Sequence, residues 1–166
     1  MSTRIEDLTP ATQAKARAAL ADLDARGIAY AVTYTLRSYA EQAALYAQGR
    51  ESLASVNAKR AAAGLTPIVP YTGKDGKVHS DNDYTVTNAD GIRIIDGGKG
   101  RSPHQLGTAL DVVPLMEGSP SWPPASDTRW AEIARSFEAQ GFEWGGRWTL
   151  AKDGIAPDMP HYQLKA

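Results

Sequence analysis

The segment Ser102–Asp111 reads SPHQLGTALD and contains one of the three histidines of the chain, a glycine and a carboxylate. The carboxylate, Asp111, lies in an apolar run that begins at Ala109 and ends at Val113. Burying a charge in such a run costs free energy unless a partner group or a bound cation compensates for it. We therefore predict that a metal ion binds here, with His104 and Asp111 as two of its ligands.

The same segment predicts a loop that leads into a strand. His104 and Asp111 are too far apart in sequence to share one helical turn, and Gly107 between them permits an unusual backbone angle. If residues 109–113 form a strand, Asp111 projects from one face of a sheet, which is a rigid base for a metal ligand.

A third ligand is expected from the other end of the chain. His161 begins a short β-like run, and pairing of that run with residues 109–113 would bring its imidazole beside Asp111. The chain has no cysteine, so a metal must use His, Asp or Glu, and a catalytic zinc takes three such ligands and a water. Asp158 lies in a proline-bracketed turn that could bring its carboxylate to the water position as a proton acceptor. Each of these residues, taken singly, also fits a structural role.

The composition places the chain among ordinary globular domains. Its 166 residues, 42% hydrophobic and 22% charged, predict a single domain spanning residues 1–166. The net charge of -1 gives no reason to expect nucleic acid or an anionic membrane as a partner. No apolar run of about 18 residues predicts a membrane span, and Met1–Asp7 does not resemble a secretory signal. The lack of cysteine leaves the compartment open.

Capping residues and apolar spacing predict most other elements. In chain order these are a helix from Thr9 and Pro10 to Gly27, a strand over Ile28–Thr35, a helix from Ser38 to Gly49 with Glu41 completing a capping box, a helix over 51–64, and a helix from Asp127 to Gly141. An irregular excursion at about 51–100 follows the second helix, with short strands expected at Ile68–Tyr71, Tyr84–Thr87 and Ile92–Ile95. Residues 141–148 are interpreted as a loop.

Two further features have open interpretations. Arg37 lies where a strand meets a helix, a position from which side chains often enter a site, but which also suits a surface arginine. His79 has polar neighbours and is predicted to be a solvated loop histidine. The acidic residues of the excursion do not have the spacing of a helix-loop-helix calcium site, so calcium regulation is a weak alternative.

The combined motifs resemble the D-alanyl-D-alanine carboxypeptidase-type zinc peptidases, which cut peptidoglycan peptides. The pattern S-x-H-x-x-G-x-A-x-D over Ser102–Asp111 is followed by D-x-x-H over Asp158–His161. The branch of phage L-alanyl-D-glutamate endopeptidases, or endolysins, is the most similar. Its members read Trp-Gly-Gly-x-Trp shortly before Asp-x-x-His-Phe-Gln, where this chain has WGGRW at 144–148 and DMPHYQ at 158–163. Their Tyr-Arg-Ser, Glu-Gln and Leu-Tyr correspond here to Leu36-Arg37-Ser38, Glu41-Gln42 and Leu45-Tyr46.

The resemblance implies an α+β fold of the Hedgehog/DD-peptidase-like kind, with a small antiparallel sheet that carries zinc and packs against helices. It implies Zn2+ on His104, Asp111 and His161, with Asp158 as general base and acid and Arg37 as the cation for the oxyanion. Candidate substrate-binding residues are Ser102, Gln42 and Trp144. Ser102 would either orient substrate or shape the turn before His104, and Trp144 suits the cleft wall or the core equally.

The function expected from the resemblance is bacteriolytic hydrolysis of the wall stem peptide, most simply as an L-alanyl-D-glutamate endopeptidase. A D-alanyl-D-alanine carboxypeptidase and a non-catalytic zinc-containing wall-binding module are the alternatives. The chain departs from the family pattern in two places: Leu36 replaces the tyrosine before Arg37, and residues of about 51–85 do not align. These departures leave the choice of bond open. A monomer without membrane insertion is expected, made in the cytoplasm and acting on the wall after release.

Overall fold

The computed structural model describes residues 2–72, 77–79, 102–153 and 156–164, which divide into two compact units. The first unit comprises Met1–Arg37 and Pro103–Ala166, and the second comprises Ser38–Ser102. The helices are α1 (Pro10–Ala25), α2 (Tyr39–Ala47), α3 (Leu53–Ala62), α4 (Thr128–Ala139) and α5 (Leu150–Asp153). The strands are β1 (Tyr30–Tyr34), β2 (Tyr71–Thr72), β3 (Val78–His79), β4 (Ala109–Met116), β5 (Ser119–Pro120), β6 (Phe142–Trp144) and β7 (His161–Leu164).

The first unit is an antiparallel sheet with helices packed on it. Its strand order is β1-β4-β7-β6, and β5 pairs with the far end of β4. Helices α1 and α4 contribute apolar side chains to a core shared with the sheet. The predicted α+β class, with a small antiparallel sheet backed by helices, is confirmed. The buried residues at the centre of this core are Leu23, Leu110, Val112, Trp130, Ile133, Phe137 and Tyr162.

Capping side chains fix where helices α1 and α4 begin. The Thr9 hydroxyl accepts a hydrogen bond from the Thr12 backbone N–H, and Pro10 occupies the first turn of α1. The Asp127 carboxylate accepts from the Arg129 backbone N–H at the start of α4. Side-chain acceptors at these positions satisfy N–H groups that have no partner inside the helix. Both predicted helix starts are therefore confirmed.

The register of β4 and β7 brings the two ends of the sequence together. Asp111 pairs directly with His161, and Leu110 pairs with Tyr162. Because side chains alternate along strands, Asp111 and His161 share one face of the sheet while Leu110 and Tyr162 share the helix-covered face. The predicted pairing of the two strands is thus confirmed, and it fixes where a metal ion would bind.

The segment after α4 differs from the sequence prediction. Phe142–Trp144 was expected to belong to a loop, but it forms strand β6, paired with β7 through Trp144 and Tyr162. Three residues between two glycines are too few for an alternating pattern to show, and the pairing with β7 supplies the hydrogen bonds that make this segment a strand. Helix α5 was not predicted either.

The second unit contains α2, α3 and the two-stranded sheet β2-β3. The capping box between Ser38 and Glu41 is present at the start of α2, as predicted. A small apolar cluster joins Ala47, Val56 and Ile68. The Asn57 side chain donates to the backbone carbonyl of Ile68 and accepts from its N–H, at 3.0 and 2.8 Å.

Four expectations for the excursion are corrected or fall outside the described residues. The strand expected at Ile68–Tyr71 lies instead at Tyr71–Thr72, and His79 belongs to β3 rather than to a loop. The strands expected at 84–87 and 92–95 lie outside the described residues.

In the described part of the chain, no helix combines the length and apolar character that a membrane span requires.

Tyr162→Phe is expected to leave the free energy of unfolding unchanged or to raise it by about 1 kcal/mol. The Tyr162 side chain is fully buried and stacks on Phe137 with ring centroids 4.4 Å apart. Its hydroxyl has no hydrogen-bond partner among the described residues, so its burial costs free energy without a compensating bond. Urea unfolding of the two proteins measures the difference.

Tyr30→Phe is the control for that experiment. Burial and then Asp24 raise the pKa of Tyr30, because its hydroxyl interacts with that carboxylate. Loss of the Tyr30 hydroxyl therefore removes a formed contact and is expected to be neutral or destabilising. A Tyr162→Phe variant destabilised by more than about 1 kcal/mol would show that the hydroxyl has a stabilising partner.

Candidate metal centre

Three predicted ligands meet in the first unit. The distances are 3.1 Å from His104 Nε2 to His161 Nδ1, 3.2 Å from His104 Nε2 to Asp111 Oδ1, and 3.2 Å from His161 Nδ1 to Asp111 Oδ1. The three side chains are almost wholly buried, with at most 4% of each residue exposed. The three atoms form a nearly equilateral triangle that could hold one metal ion.

The outer hydrogen bonds of the imidazoles decide which nitrogen atoms are free to bind a metal. His104 Nδ1 lies 2.8 Å from the backbone carbonyl oxygen of Thr35, which can only accept, so the proton is on Nδ1. His161 Nε2 lies 3.0 Å from Gln163 Oε1 and donates to it. The lone pairs of His104 Nε2 and His161 Nδ1 therefore point into the triangle, together with that of Asp111.

Three converging lone pairs repel one another unless a cation lies among them. Zinc bonds of about 2.0–2.1 Å in a tetrahedron separate the ligand atoms by about 3.3–3.4 Å. The observed edges of 3.1–3.2 Å are close to that value. Nitrogen and carboxylate oxygen are also the donor types that zinc accepts, so the residues present fit this ion.

The charges around the triangle are consistent with an ionised carboxylate. Burial alone would raise the pKa of Asp111, but the His104 and His161 imidazoles hold it well below its usual range. Burial lowers the pKa of His104. For His161 burial acts in the same direction, but Asp111 and then Asp158 outweigh it and raise the pKa. The metal centre thus combines an ionised Asp111 with a His104 imidazole whose lowered pKa favours the neutral form.

Arg37 is buried, with 6% of the residue exposed, so its interpretation as a surface arginine is wrong. Its backbone N–H donates to the His104 carbonyl oxygen at 3.2 Å, and its guanidinium lies 5.8 Å from the centre of the Tyr34 ring. The pKa of His104 is lowered by burial and, among the smaller causes, by the positive charge of Arg37, so this cation lies near the His104 imidazole. β1 and the short segment after it therefore deliver a cation to the site.

Asp158 reaches the site through the turn before β7. Its backbone N–H donates to the Gly145 carbonyl oxygen at 3.0 Å, and its own carbonyl oxygen accepts from the His161 N–H at 3.3 Å. Its carboxylate is close enough to His161 to contribute to the raised pKa of that imidazole. The predicted turn is thus present, and it holds Asp158 beside the third ligand.

Gly145 keeps this turn close to β7. A Cβ atom at Gly145 would lie 2.6 Å from the Asp158 carbonyl oxygen and 3.1 Å from both His161 Cβ and Trp148 Cζ3. A Cβ at Gly146 would lie 2.3 Å from the Trp144 ring. The two glycines of the WGGRW segment therefore provide space for the site residues. Sequence reasoning assigned this segment to a loop and missed the requirement.

Gly145→Ala is expected to lower the free energy of unfolding by about 1–3 kcal/mol and to weaken zinc binding. The new methyl group must displace backbone at Asp158, because the contact distance is shorter than real Cβ atoms show. Movement of Asp158 also moves His161, to which it is hydrogen-bonded. Urea unfolding and competition for zinc with a chelator measure the two effects.

Gly118→Ala is the matched control in the same unit. Gly118 has a φ of +78°, and a Cβ there would meet no atom within 4 Å. Alanine at that angle is strained, so stability falls while zinc affinity stays unchanged. Equal zinc affinity in Gly145→Ala and the original protein would contradict the spatial role of Gly145.

The first unit also contains a cavity of about 520 Å³, and its lining does not include the three ligands. Trp144, proposed from sequence as a substrate-binding residue, lines this cavity and is 8% exposed. Its indole N–H donates to the Met159 carbonyl oxygen at 2.8 Å. Trp148 also lines the cavity, and its ring centroid lies 5.1 Å from that of His161. A substrate role for Trp144 stays a prediction.

Two candidates belong to the second unit. Gln42 is a fully buried residue of α2, and Ser102 is 3% exposed at the end of that unit. Their proposed roles in substrate binding stay predictions. Sequence reasoning also missed two groups that hold the imidazoles, the Thr35 carbonyl and Gln163. For Gln163 a signal was available, because two positions along a strand place it on the same face as His161.

Comparison with known proteins agrees with these observations. A family model described as D-alanyl-D-alanine carboxypeptidase matches residues 96–164. The peptidoglycan L-alanyl-D-glutamate endopeptidase CwlK of Bacillus subtilis (strain 168) is 28% identical over 165 residues, which cover 95% of this chain and 74% of that protein. The resemblance inferred from the motifs is confirmed.

Two solved structures share the fold. The L-Ala D-Glu endopeptidase ChiX of Serratia marcescens has a TM-score of 0.54 at 21% identity, covering 97% of this chain and 83% of that one. The vancomycin resistance D,D-pentapeptidase VanY, in complex with Zn(II), has a TM-score of 0.54 at 18% identity, covering 95% and 72%. At these identities the likeness establishes the fold, and activity has to be argued from the site.

Proposed function

On the basis of its match to the D-alanyl-D-alanine carboxypeptidase family, we propose that this chain is a zinc-dependent peptidoglycan peptidase. The reaction is hydrolysis of a peptide bond in the wall stem peptide, most simply the L-alanyl-D-glutamate bond. The observation that carries the proposal is the buried triangle of His104 Nε2, Asp111 Oδ1 and His161 Nδ1, with edges of 3.1–3.2 Å and lone pairs directed inward. The names of CwlK and ChiX support the choice of bond.

His104, Asp111 and His161 would hold the zinc. When bound, zinc supplies a Lewis acid that polarises a carbonyl and lowers the pKa of a water molecule. Asp158, beside His161, is the general base that takes a proton from the attacking water. The same carboxyl group then gives the proton to the leaving amine, because an amine leaves far more readily once it is protonated.

Arg37 supplies positive charge on the side of His104. Its buried guanidinium is held before substrate arrives, so it stabilises the developing oxyanion without reorganising. The ligands, Asp158 and Arg37 all belong to one compact unit. A single chain therefore carries the groups that the reaction requires, and a monomer is the proposed active form. The proposed substrate places the reaction in the bacterial cell wall.

Mass spectrometry of muropeptides released from purified peptidoglycan tests the proposal and identifies the bond. A new amino terminus at D-glutamate supports the endopeptidase, and loss of the terminal D-alanine supports the carboxypeptidase instead. Zinc-loaded protein that binds the wall but releases no new amino groups would contradict both and favour a wall-binding module.

A further inference from the structure

We propose that Glu143 is a positioning residue for the metal centre, which it serves by fixing the orientation of the Gln163 side-chain amide. That amide in turn fixes the tautomer of His161 and leaves Nδ1 free to bind metal. The inference rests on the metal centre proposed above and extends it to two residues outside the ligand set.

A continuous series of contacts leads from Glu143 to His161. The Trp148 indole N–H donates to Glu143 Oε1 at 2.9 Å, and Gln163 Nε2 donates to Glu143 Oε2 at 3.4 Å. Gln163 Oε1 lies 3.0 Å from His161 Nε2. His161 Nδ1 then lies 3.1 and 3.2 Å from the other two ligand atoms. We call Trp148, Glu143, Gln163 and His161 the relay.

The position of Gln163 in the relay follows from the sheet. Glu143 on β6 pairs directly with Gln163 on β7, and Gln163 is two residues from His161. Directly opposed residues and residues two apart share a face, so all three side chains lie on the metal side of the sheet. Strand β7 pairs with β4 on one side and with β6 on the other. It therefore brings Glu143 of β6 to the same face as the metal centre.

The direction of the relay is fixed by what each group can do. An indole N–H only donates, and an ionised carboxylate only accepts. Glu143 therefore requires the NH2 group of Gln163, and the amide oxygen must face His161. An oxygen acceptor at Nε2 places the imidazole proton there, and the Nδ1 lone pair faces the metal position.

The two histidine ligands differ in how firmly their tautomers are set. His104 donates to the Thr35 backbone carbonyl, which cannot exchange its acceptor for a donor. His161 depends on a side-chain amide, which presents a donor instead of an acceptor when it turns by about half a rotation. A carboxylate beside that amide removes the second orientation. Glu143 supplies this carboxylate.

The isosteric variant Glu143→Gln tests this role. Its amide oxygen accepts from Trp148, and its NH2 group then faces Gln163 and favours the reversed amide. Reversed Gln163 presents NH2 to His161, which moves the proton to Nδ1 and blocks the metal. Loss of a partner that orients a ligand typically weakens metal affinity by about 10–100-fold. We expect that increase in the zinc dissociation constant, measured against a chelator of known affinity.

The double variant Glu143→Gln with Gln163→Glu restores the direction of the relay. The new carboxylate at 163 accepts from His161 Nε2 and from the amide at 143, whose oxygen accepts from Trp148. Zinc affinity is expected to return to within a few-fold of the original value. A merely structural role for Glu143 predicts no such recovery, because the double variant carries two changes instead of one.

The metal-free proteins provide a second readout. Measured at alkaline pH, where His161 is neutral despite its raised pKa, the nitrogen-15 shifts of its imidazole should report the Nε2–H tautomer in the original protein and in the double variant, and a shift toward Nδ1–H in Glu143→Gln. Glu138→Gln, which removes a carboxylate bound to Arg147 at 2.8 Å on α4, is the matched control and should keep both values.

The outcomes separate this inference from the proposed function. Weaker zinc binding in Glu143→Gln, a changed tautomer and recovery in the double variant support the relay. Unchanged affinity and tautomer in Glu143→Gln overturn the relay while leaving the metal centre intact. An original protein that binds no zinc would overturn the metal centre itself, and the tautomer measurement would still decide whether Glu143 orients His161.

Discussion

Asp158→Ala is expected to keep bound zinc and to lose two to four orders of magnitude in the rate of wall hydrolysis. The metal is retained because Asp158 is outside the triangle of ligand atoms, whose edges are set by β4, β7 and the 3-10 helix Pro103–Leu106 that carries His104. The rate falls because a positioned general base contributes about 10²–10⁴-fold. Metal analysis of the purified variant and release of amino groups from purified peptidoglycan give the two numbers.

Two further variants distinguish proton transfer from charge and from folding. Asp158→Asn keeps the shape but cannot accept a proton, so it should be as slow as the alanine variant. Asp153→Ala removes an exposed carboxylate that accepts from the Thr149 N–H at the start of α5, and it should keep its rate. Turnover in Asp158→Asn close to the original value would rule out Asp158 as the base.

Asp111→Asn is expected to lose tight zinc binding, and hydrolysis with it. The variant keeps a side chain of the same size between His104 and His161, but it removes the buried negative charge that would balance the cation. A buried cation then lacks its counter-charge, which costs several kcal/mol in an apolar site. The loss should exceed the roughly 10–100-fold decrease expected when a residue that only orients a ligand is changed.

Asp127→Asn is the matched control for that charge. Arg129 holds the pKa of Asp127 at about 2, so this aspartate is also ionised in an ion pair, but at the start of α4. Its change should leave zinc affinity and hydrolysis unaltered. Asp111→Asn protein that still binds one zinc with the original affinity would remove Asp111 from the ligand set.

The sequence predicted those parts of the fold and site that depend on local chemistry. Thr9 and Asp127 start helices because their side chains satisfy nearby N–H groups. The angle at Gly107, with φ of +67°, is the one that the loop before β4 was expected to need. The convergence of Asp111 and His161 followed from one assumption, that their strands pair, and the register confirms it.

The remaining features depend on register and packing, which neighbouring residues do not reveal. β6 is too short for its own pattern and exists because β7 pairs with it. The burial of Arg37 involves segments far along the chain, including His104, whose carbonyl oxygen accepts from the Arg37 backbone N–H. Gly145 and Glu143 gain their roles from their closeness to Asp158 and Gln163, which the residues of 143–148 alone do not reveal.

The most direct test of the central claim is the release of amino groups from purified peptidoglycan by one protein sample in three states. The sample is measured as purified, after removal of metal with a chelator, and after return of one equivalent of zinc. The account predicts hydrolysis in the first state, its loss in the second and its recovery in the third. Hydrolysis that persists in metal-free protein, or fails to appear with zinc bound, would contradict the account.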